Sequence, residues 1–210
     1  MTVRPILHEL YLADDPEAWS EAGFDVVDDR VQIGTTTLRF VTAEGRRGFV
    51  GWSFVDVAAR DLDGMTCFAT DGVFGPNGNH ENTSKLVDHV VVMTPDMGRT
   101  NEALAEIGLD LRRVRDVPDT APARQQAFYR SGEVVIEVVG TAQPSGDGPS
   151  ALWGLVTVVS DIDAAASRLG ELLGEPKEAV QPSRRIATLR KSAGLGIPVA
   201  LITPDPRHHR

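Results

Sequence analysis

Three stretches of the chain repeat one arrangement: a short apolar strand, an Asp where a helix opens, an amphipathic helix and a Gly at its end. They are "ILHELYLADDPEAWSEAGF" (6–24), "LVDHVVVMTPDMGRTNEALAEIGL" (86–109) and "LWGLVTVVSDIDAAASRLGELLG" (152–174). Such a repeat constrains the fold strongly, because each copy is one supersecondary unit that must bury its apolar face against another. Asp15 caps the first helix, with Pro16 at the position where a missing N–H costs nothing. Asp96 opens the second helix and Ser160 or Asp161 the third, while Gly23, Gly108 and Gly174 stand where a left-handed cap closes them. Ile162, Ala165, Ala166, Leu169, Leu172 and Leu173 follow helical spacing and read as one buried face.

Strand signals follow each helix. In the second unit they are "LDLRRVRDV" and "RQQAFYRSGEVVIEVVG", a hairpin turning at Ser131-Gly132; in the third, "KEAVQPS", "RRIATLR" and "IPVALIT". The first unit offers "FDVV", "RVQIG" and "TTLRFV", and "FVGWSFVDV" (49–57) adds one further strand. The chain therefore divides into a diverged βαβββ-like module (1–58), a long loop (59–85), two modules (86–140 and 152–204) joined by a linker (141–151), and a tail (205–210). The segment 59–85 is Gly/Asn-rich and poorly periodic, and loops of that length are usually functional or mobile.

Composition narrows the partners. Formal charge is 21 − 30 = −9, which argues against nucleic acid or an anionic membrane surface. The basic clusters "LRRVR" (111–115) and "SRRIATLRK" (183–191) read as solvated strand ends, although an anionic ligand could use one of them. Cys67 is the sole cysteine, so neither an intrachain disulfide nor a cysteine zinc cage can form, and a buried apolar role suits it better than nucleophilic work. No secretory signal or membrane span is readable, so the expected location is the cytoplasm.

"DHVVVMTPD", "EVVIEVVG" and "VSDIDAAASRLG", in that order, resemble the vicinal-oxygen-chelate superfamily, the group of glyoxalase I, extradiol dioxygenases and bleomycin-resistance proteins. The resemblance covers residues 86–203, and residues 6–42 look like a further, diverged copy. It implies an α+β fold of tandem βαβββ modules forming curved mixed sheets, paired into a cup. A divalent metal in such a cup sits on up to four residues, one from the first and one from the last strand of each module. Carried over position by position, these fall on His89 and Glu137 in one module and on Gly154 and Ala200 in the next, with matching spacings of 137 − 89 = 48 and 200 − 154 = 46. Gly and Ala offer no donor, so half of the metal site is missing. The expectation is no tightly held cofactor; a divalent metal, if present, would use His89 and Glu137. His8, aligned with His89, is a further candidate ligand, though Arg39 stands at that unit's last-strand position and a strand-end hydrogen bond suits His8 better.

Residues two apart on a strand share a face, so Arg124, Gln126 and Phe128 are expected beside Glu137 as substrate-binding residues. Without metal, His89 and Glu137 become candidates for general acid–base catalysis. An unpaired third unit would leave an open sheet, for which a homodimer is one solution. The reading is a glyoxalase-like protein that binds a small molecule. Its alternatives are a metal-dependent lyase, isomerase or dioxygenase, and a non-catalytic drug-sequestering protein.

Overall fold

The computed structural model describes residues 4–118 and 120–206, so the tail motif "RHHR" (207–210) lies outside the described residues. One mixed sheet contains β1 (Leu7–Ala13), β2 (Arg30–Ile33), β3 (Thr36–Phe40), β4 (Gly48–Phe54), β5 (Arg60–Leu62) and β6 (Met65–Phe68), in the order β2-β3-β1-β4-β6-β5. The other contains β7 (Ser84–Met93), β8 (Leu111–Val117), β9 (Arg124–Ser131), β10 (Val134–Thr141), β11 (Ala151–Val159), β12 (Lys177–Glu178), β13 (Arg185–Thr188) and β14 (Val199–Ile202), in the order β12-β13-β14-β11-β7-β10-β9-β8. Among the described residues three α-helices, α1 (Pro16–Glu21), α2 (Met97–Glu106) and α3 (Ile162–Leu169), complete the α+β architecture of curved sheets. Among the described residues no helix is long and apolar enough to cross a membrane.

The sheets share one internal logic. In the second, β7 and β11 lie antiparallel at the centre, and each has the last strand of its own module parallel beside it, β10 and β14 respectively. In the first, β1 and β4 lie antiparallel at the centre, flanked by parallel β3 and β6. The described residues thus form four modules, not three. The segment expected as loop carries β5 and β6, and β4 opens a module with no helix between it and β5. Without a helical period, and with strands of three and four residues, that module has little to announce it in sequence. Because β1 pairs with β4 inside the chain, the unpaired unit that motivated a homodimer does not exist.

Local chemistry explains the elements. Asp15, Asp96 and Asp161 each accept a backbone N–H of the first helical turn, satisfying donors with no intrahelical partner. The third helix closes at Gly170 (φ +53°) and passes into a 3₁₀ turn, earlier than the Gly174 read from sequence. The strand faces turned toward the helices are apolar: Leu10, Leu12, Trp52, Val90, Val92, Ile136, Val138 and Leu155 join Trp19, Leu104 and Leu169 in one continuous core spanning both sheets. Each such side chain contributes about 1.5–3 kcal/mol on burial. Polar links bind the halves as well. Asp63, in the β5–β6 turn, accepts from Thr100 Oγ1 (2.6 Å), Ser150 Oγ (2.6 Å) and Arg99. Burial alone would raise its carboxyl pKa, but these donors hold it below the usual range.

Candidate active site

The concave face of the second sheet holds a cavity of about 540 Å³ floored by β7, β9 and β10, with Arg184 and Pro204 on its far side. A bulge in β7 decides what points into it. Val87 pairs with Thr157 and His89 with Val156, so Asp88 is the extra residue, and Asp88 and His89 both line the cavity. On the neighbouring parallel strand Glu137 is level with Val91, two residues beyond His89.

These groups form a chain of contacts. The buried Arg184 donates from Nη2 to Asp88 Oδ1 (2.5 Å) and from Nε to the Thr203 carbonyl (2.7 Å). Asp88 Oδ2 lies 2.7 Å from His89 Nδ1, and His89 Nε2 lies 3.5 Å from Glu137 Oε2. Gln126 Nε2 donates to Glu137 Oε1 (2.5 Å), and Arg115 Nε donates to Gln126 Oε1 (2.9 Å) while its guanidinium lies over the Phe128 ring. Burial alone would raise the Asp88 carboxyl pKa; the bonds from His89 and Arg184 outweigh it and hold the group below its ordinary range. Asp88 is therefore an anion that accepts, so His89 Nδ1 must carry the proton. In the neutral ring the Nε2 lone pair then faces Glu137.

Of the residues singled out from sequence, His89, Glu137 and Phe128 line this cavity, and Gln126 supports Glu137 from beside it. Arg124 does not join them. It is exposed and lines a separate shallow depression with Thr94 and Pro95. A turn at Ser131-Gly132 would set Gln126 opposite Glu137; the turn is instead Gly132-Glu133, with Val134 opposite Ser131, and Phe128 sits opposite Glu137. That two-residue shift preserves the facing side but carries Arg124 farther along the sheet. His8 is also displaced from its expected role. It is the bulged residue of β1 (Leu7 pairs with Phe54 and Glu9 with Ser53), so it corresponds to Asp88, and Glu9 corresponds to His89. Its ring bonds Thr70 Oγ1 (2.5 Å) and the Val73 carbonyl (2.9 Å) in the first sheet's cup, where it cannot serve a site built on His89.

The register allows a test of whether a metal fits. In each module the first-strand position follows a bulged residue and the last-strand position lies beside the residue two further on. This gives His89, Glu137, Gly154 and Ala200 in the second sheet, and Glu9, Arg39, Gly51 and Phe68 in the first. His89 Nε2 and Glu137 Oε2 could reach one cation, but Gly154 and Ala200 supply no donor atom. A side chain at Gly154 would also meet the Pro198 carbonyl, 3.2 Å from its Cβ. Among the described residues no group of three or more His, Cys, Asp or Glu side chains converges to hold a metal. Two protein donors fall short of the set a resident divalent ion takes, so the residues present do not fit one.

Sequence reasoning missed Asp88, Arg184 and Arg115. Asp88 is adjacent to His89, but strand alternation would send it to the other face, and only the bulge brings it in. Arg184 lies in the basic cluster 183–191 noted as a place for an anionic partner; its partner is an Asp of this chain.

No protein-family model matches the chain, and no curated protein matches it. Solved structures do. A triple mutant of 4-hydroxymandelate synthase from Streptomyces coelicolor matches with a TM-score of 0.68, covering 97% of this chain and 93% of that one at 12% identity. A xylose isomerase-like TIM barrel/4-hydroxyphenylpyruvate dioxygenase fusion protein matches with a TM-score of 0.63, covering 98% of this chain and 50% of that one at 9% identity. The chain has the vicinal-oxygen-chelate fold. Methylmalonyl-CoA epimerase from Mycobacterium tuberculosis covers 60% of this chain and 93% of its own at 18% identity, with a TM-score of 0.46. The vicinal-oxygen-chelate fold accounts for the module pairing and the two cups; activity must be argued from the site itself.

Proposed function

We propose that the C-terminal cup of this vicinal-oxygen-chelate fold binds a small organic molecule and moves a proton on it with His89 and Glu137, without a resident metal. The observation that carries this reading is the placement of His89 between two carboxylates, bonded to Asp88 at Nδ1 and 3.5 Å from Glu137 at Nε2. Both atoms open onto the same cavity, so a substrate X–H group seated beside them is within reach of either. Such a group gives its proton to His89 Nε2 or to Glu137 Oε2. Asp88 stabilises the imidazolium in the first case, and Gln126 steadies the remaining Glu137 oxygen in both. Phe128, Val135, Val158 and Leu86 supply an apolar wall against which the body of the substrate rests.

A substrate-independent assay tests it. Carbonyl compounds with an adjacent C–H (keto acids, hydroxy ketones and thioesters) are incubated with the protein in D₂O in the presence of a chelator, and deuterium incorporation is followed by proton NMR. Catalysed exchange of at least one compound, lost in both His89→Gln and Glu137→Gln, supports the reading. Ligand-induced thermal shifts without exchange would favour sequestration instead. Exchange that appears only with stoichiometric bound metal, lost on His89→Ala, would restore a metal-dependent enzyme and overturn the proposal.

A further inference from the structure

The first sheet has a cavity of its own, of about 590 Å³, on the concave side of β1, β2 and β3. Its floor is made of the residues that correspond to the active-site pair of the other cup, Glu9 and Arg39. Glu9, buried, accepts at Oε1 from Arg39 Nε (2.9 Å) and Nη2 (2.6 Å), and at Oε2 from the Tyr11 hydroxyl (2.5 Å) and Ser53 Oγ (3.5 Å). The Glu9 carboxylate is thereby fully engaged and Arg39 is fixed in direction. Arg30 is the direct cross-strand partner of Arg39 and lines the same cavity. Like charges placed opposite each other on a sheet destabilise it unless a counter-charge answers both. Glu9 answers one. Among the described residues the Arg30 side chain forms no hydrogen bond or ion pair, and that of Arg39 hydrogen-bonds to Glu9 alone.

Carboxylates line the cavity too. Asp25 and Asp71 each accept a loop N–H, from Asn79 (2.9 Å) and Val73 (3.1 Å), while Asp28 is held at φ +48° in the tight turn between Val27 and Arg30. The roof over the cavity is pinned and not free: His8 Nε2 donates to the Val73 carbonyl (2.9 Å), Gly34 N to Asn77 Oδ1 (2.9 Å) and Gly78 N to the Gln32 carbonyl (3.0 Å). The cavity is preformed, and its size is within the roughly 300–1,000 Å³ of small-molecule sites.

We propose that this N-terminal cup binds a small zwitterion, a molecule with both a carboxylate and an ammonium group such as a free amino acid. The carboxylate lies on Arg30 and Arg39, and the ammonium faces Asp28 and Asp71. A simple anion would meet Asp25, Asp28 and Asp71 as well as the guanidiniums, and a simple cation would meet Arg30 and Arg39; a ligand of both charges complements both parts of the lining. The site is separate from the His89 cup and stands without the function proposed for it.

The test is thermal-shift screening and calorimetry of the whole protein with the free protein amino acids at millimolar concentration. Each is paired with its decarboxylated amine and its deaminated acid. The expected result is a saturable rise in Tm with at least one amino acid and none with the corresponding amine or acid. Binding should weaken tenfold or more in Arg30→Gln and in Asp28→Asn, both at exposed positions, and be unchanged in His89→Gln. Binding of the acids or amines as tight as that of the amino acids overturns the zwitterion assignment. No response to any amino acid, or loss of binding in His89→Gln with retention in Arg30→Gln, overturns the site.

Discussion

Replacing Asp88 with Asn isolates the part of the site that holds His89. The Asp88 side chain is 17% exposed and that of Arg184 is 6% exposed, so their ion pair is largely desolvated. Removing one partner of a buried pair costs about 3–5 kcal/mol, chiefly because the other charge is left uncompensated. The amide oxygen of Asn can still accept from Arg184, and the Thr203 carbonyl remains at 2.7 Å, which places Asp88→Asn near the lower end, about 3 kcal/mol. At about 2–4 °C per kcal/mol for a chain of this size, the expected fall in Tm is roughly 6–12 °C at pH 7. Scanning calorimetry measures it. The pH dependence gives an independent check of sign. The native Asp88 pKa is depressed, so the stabilisation is present above the unfolded value of about 3.9 and is lost as pH falls through the native value. The gap between wild type and Asp88→Asn should therefore close on acidification below about pH 5, never widen. The double variant Asp88→Asn/Arg184→Met, which removes the stranded charge, should recover most of the loss. A single variant as stable as wild type, or a double variant no better than the single, refutes the ion-pair argument.

Other outcomes follow from the same geometry. Gln126→Leu removes the donor to Glu137 and should weaken ligand binding or proton exchange about tenfold, roughly the worth of one hydrogen bond to a charged group, whereas Arg124→Ala should leave both unchanged by calorimetry and NMR. Ala200→Glu adds a third donor at a register position that lacks one and should give measurable Mn²⁺ or Zn²⁺ binding in titration calorimetry. Gly154→His should instead lower Tm, because the Pro198 carbonyl leaves its Cβ little room. His80 accepts from Asp25 N at Nδ1 (3.0 Å) and donates to the Gln32 carbonyl at Nε2 (2.9 Å), and burial pushes its pKa down. Protonation therefore favours the unfolded chain, and stability should decline as pH falls below about 6.5, a slope that His80→Gln should abolish in calorimetric melts.

The second sheet was legible in sequence because each of its modules opens with a long apolar strand and keeps a helix with an Asp cap. The correspondence of His89 with Gly154 and of Glu137 with Ala200, made from the spacing of helix starts and final strands, agrees with the pairing register. The first sheet was only half legible. A module with no helix and with strands of three and four residues after its first has little period to detect, so β5 and β6 passed as loop. Within the site, alternation predicted that Gln126, Phe128 and Glu137 share a face, because a shift of two residues in the hairpin leaves parity intact. It failed wherever a bulge intervened: Asp88 was assigned no part, and His8 was matched to His89 when Glu9 holds that position. Arg184 comes from a hairpin 96 residues beyond Asp88, a contact that only tertiary folding creates.

The bulges also determine how this chain can vary. Asp88 is a surplus residue of β7, so deleting it would leave Val87 and His89 as consecutive rungs opposite Thr157 and Val156. The ladder would stay in step while the imidazole lost its anion and Arg184 its counter-charge. His8, Val50 and Trp153 hold the same surplus place in the other three modules. At these four points a change of length acts as a change of chemistry, and descendants of one such module could acquire or discard a polar partner beside the first-strand position through a single-codon insertion or deletion, with every neighbouring strand undisturbed.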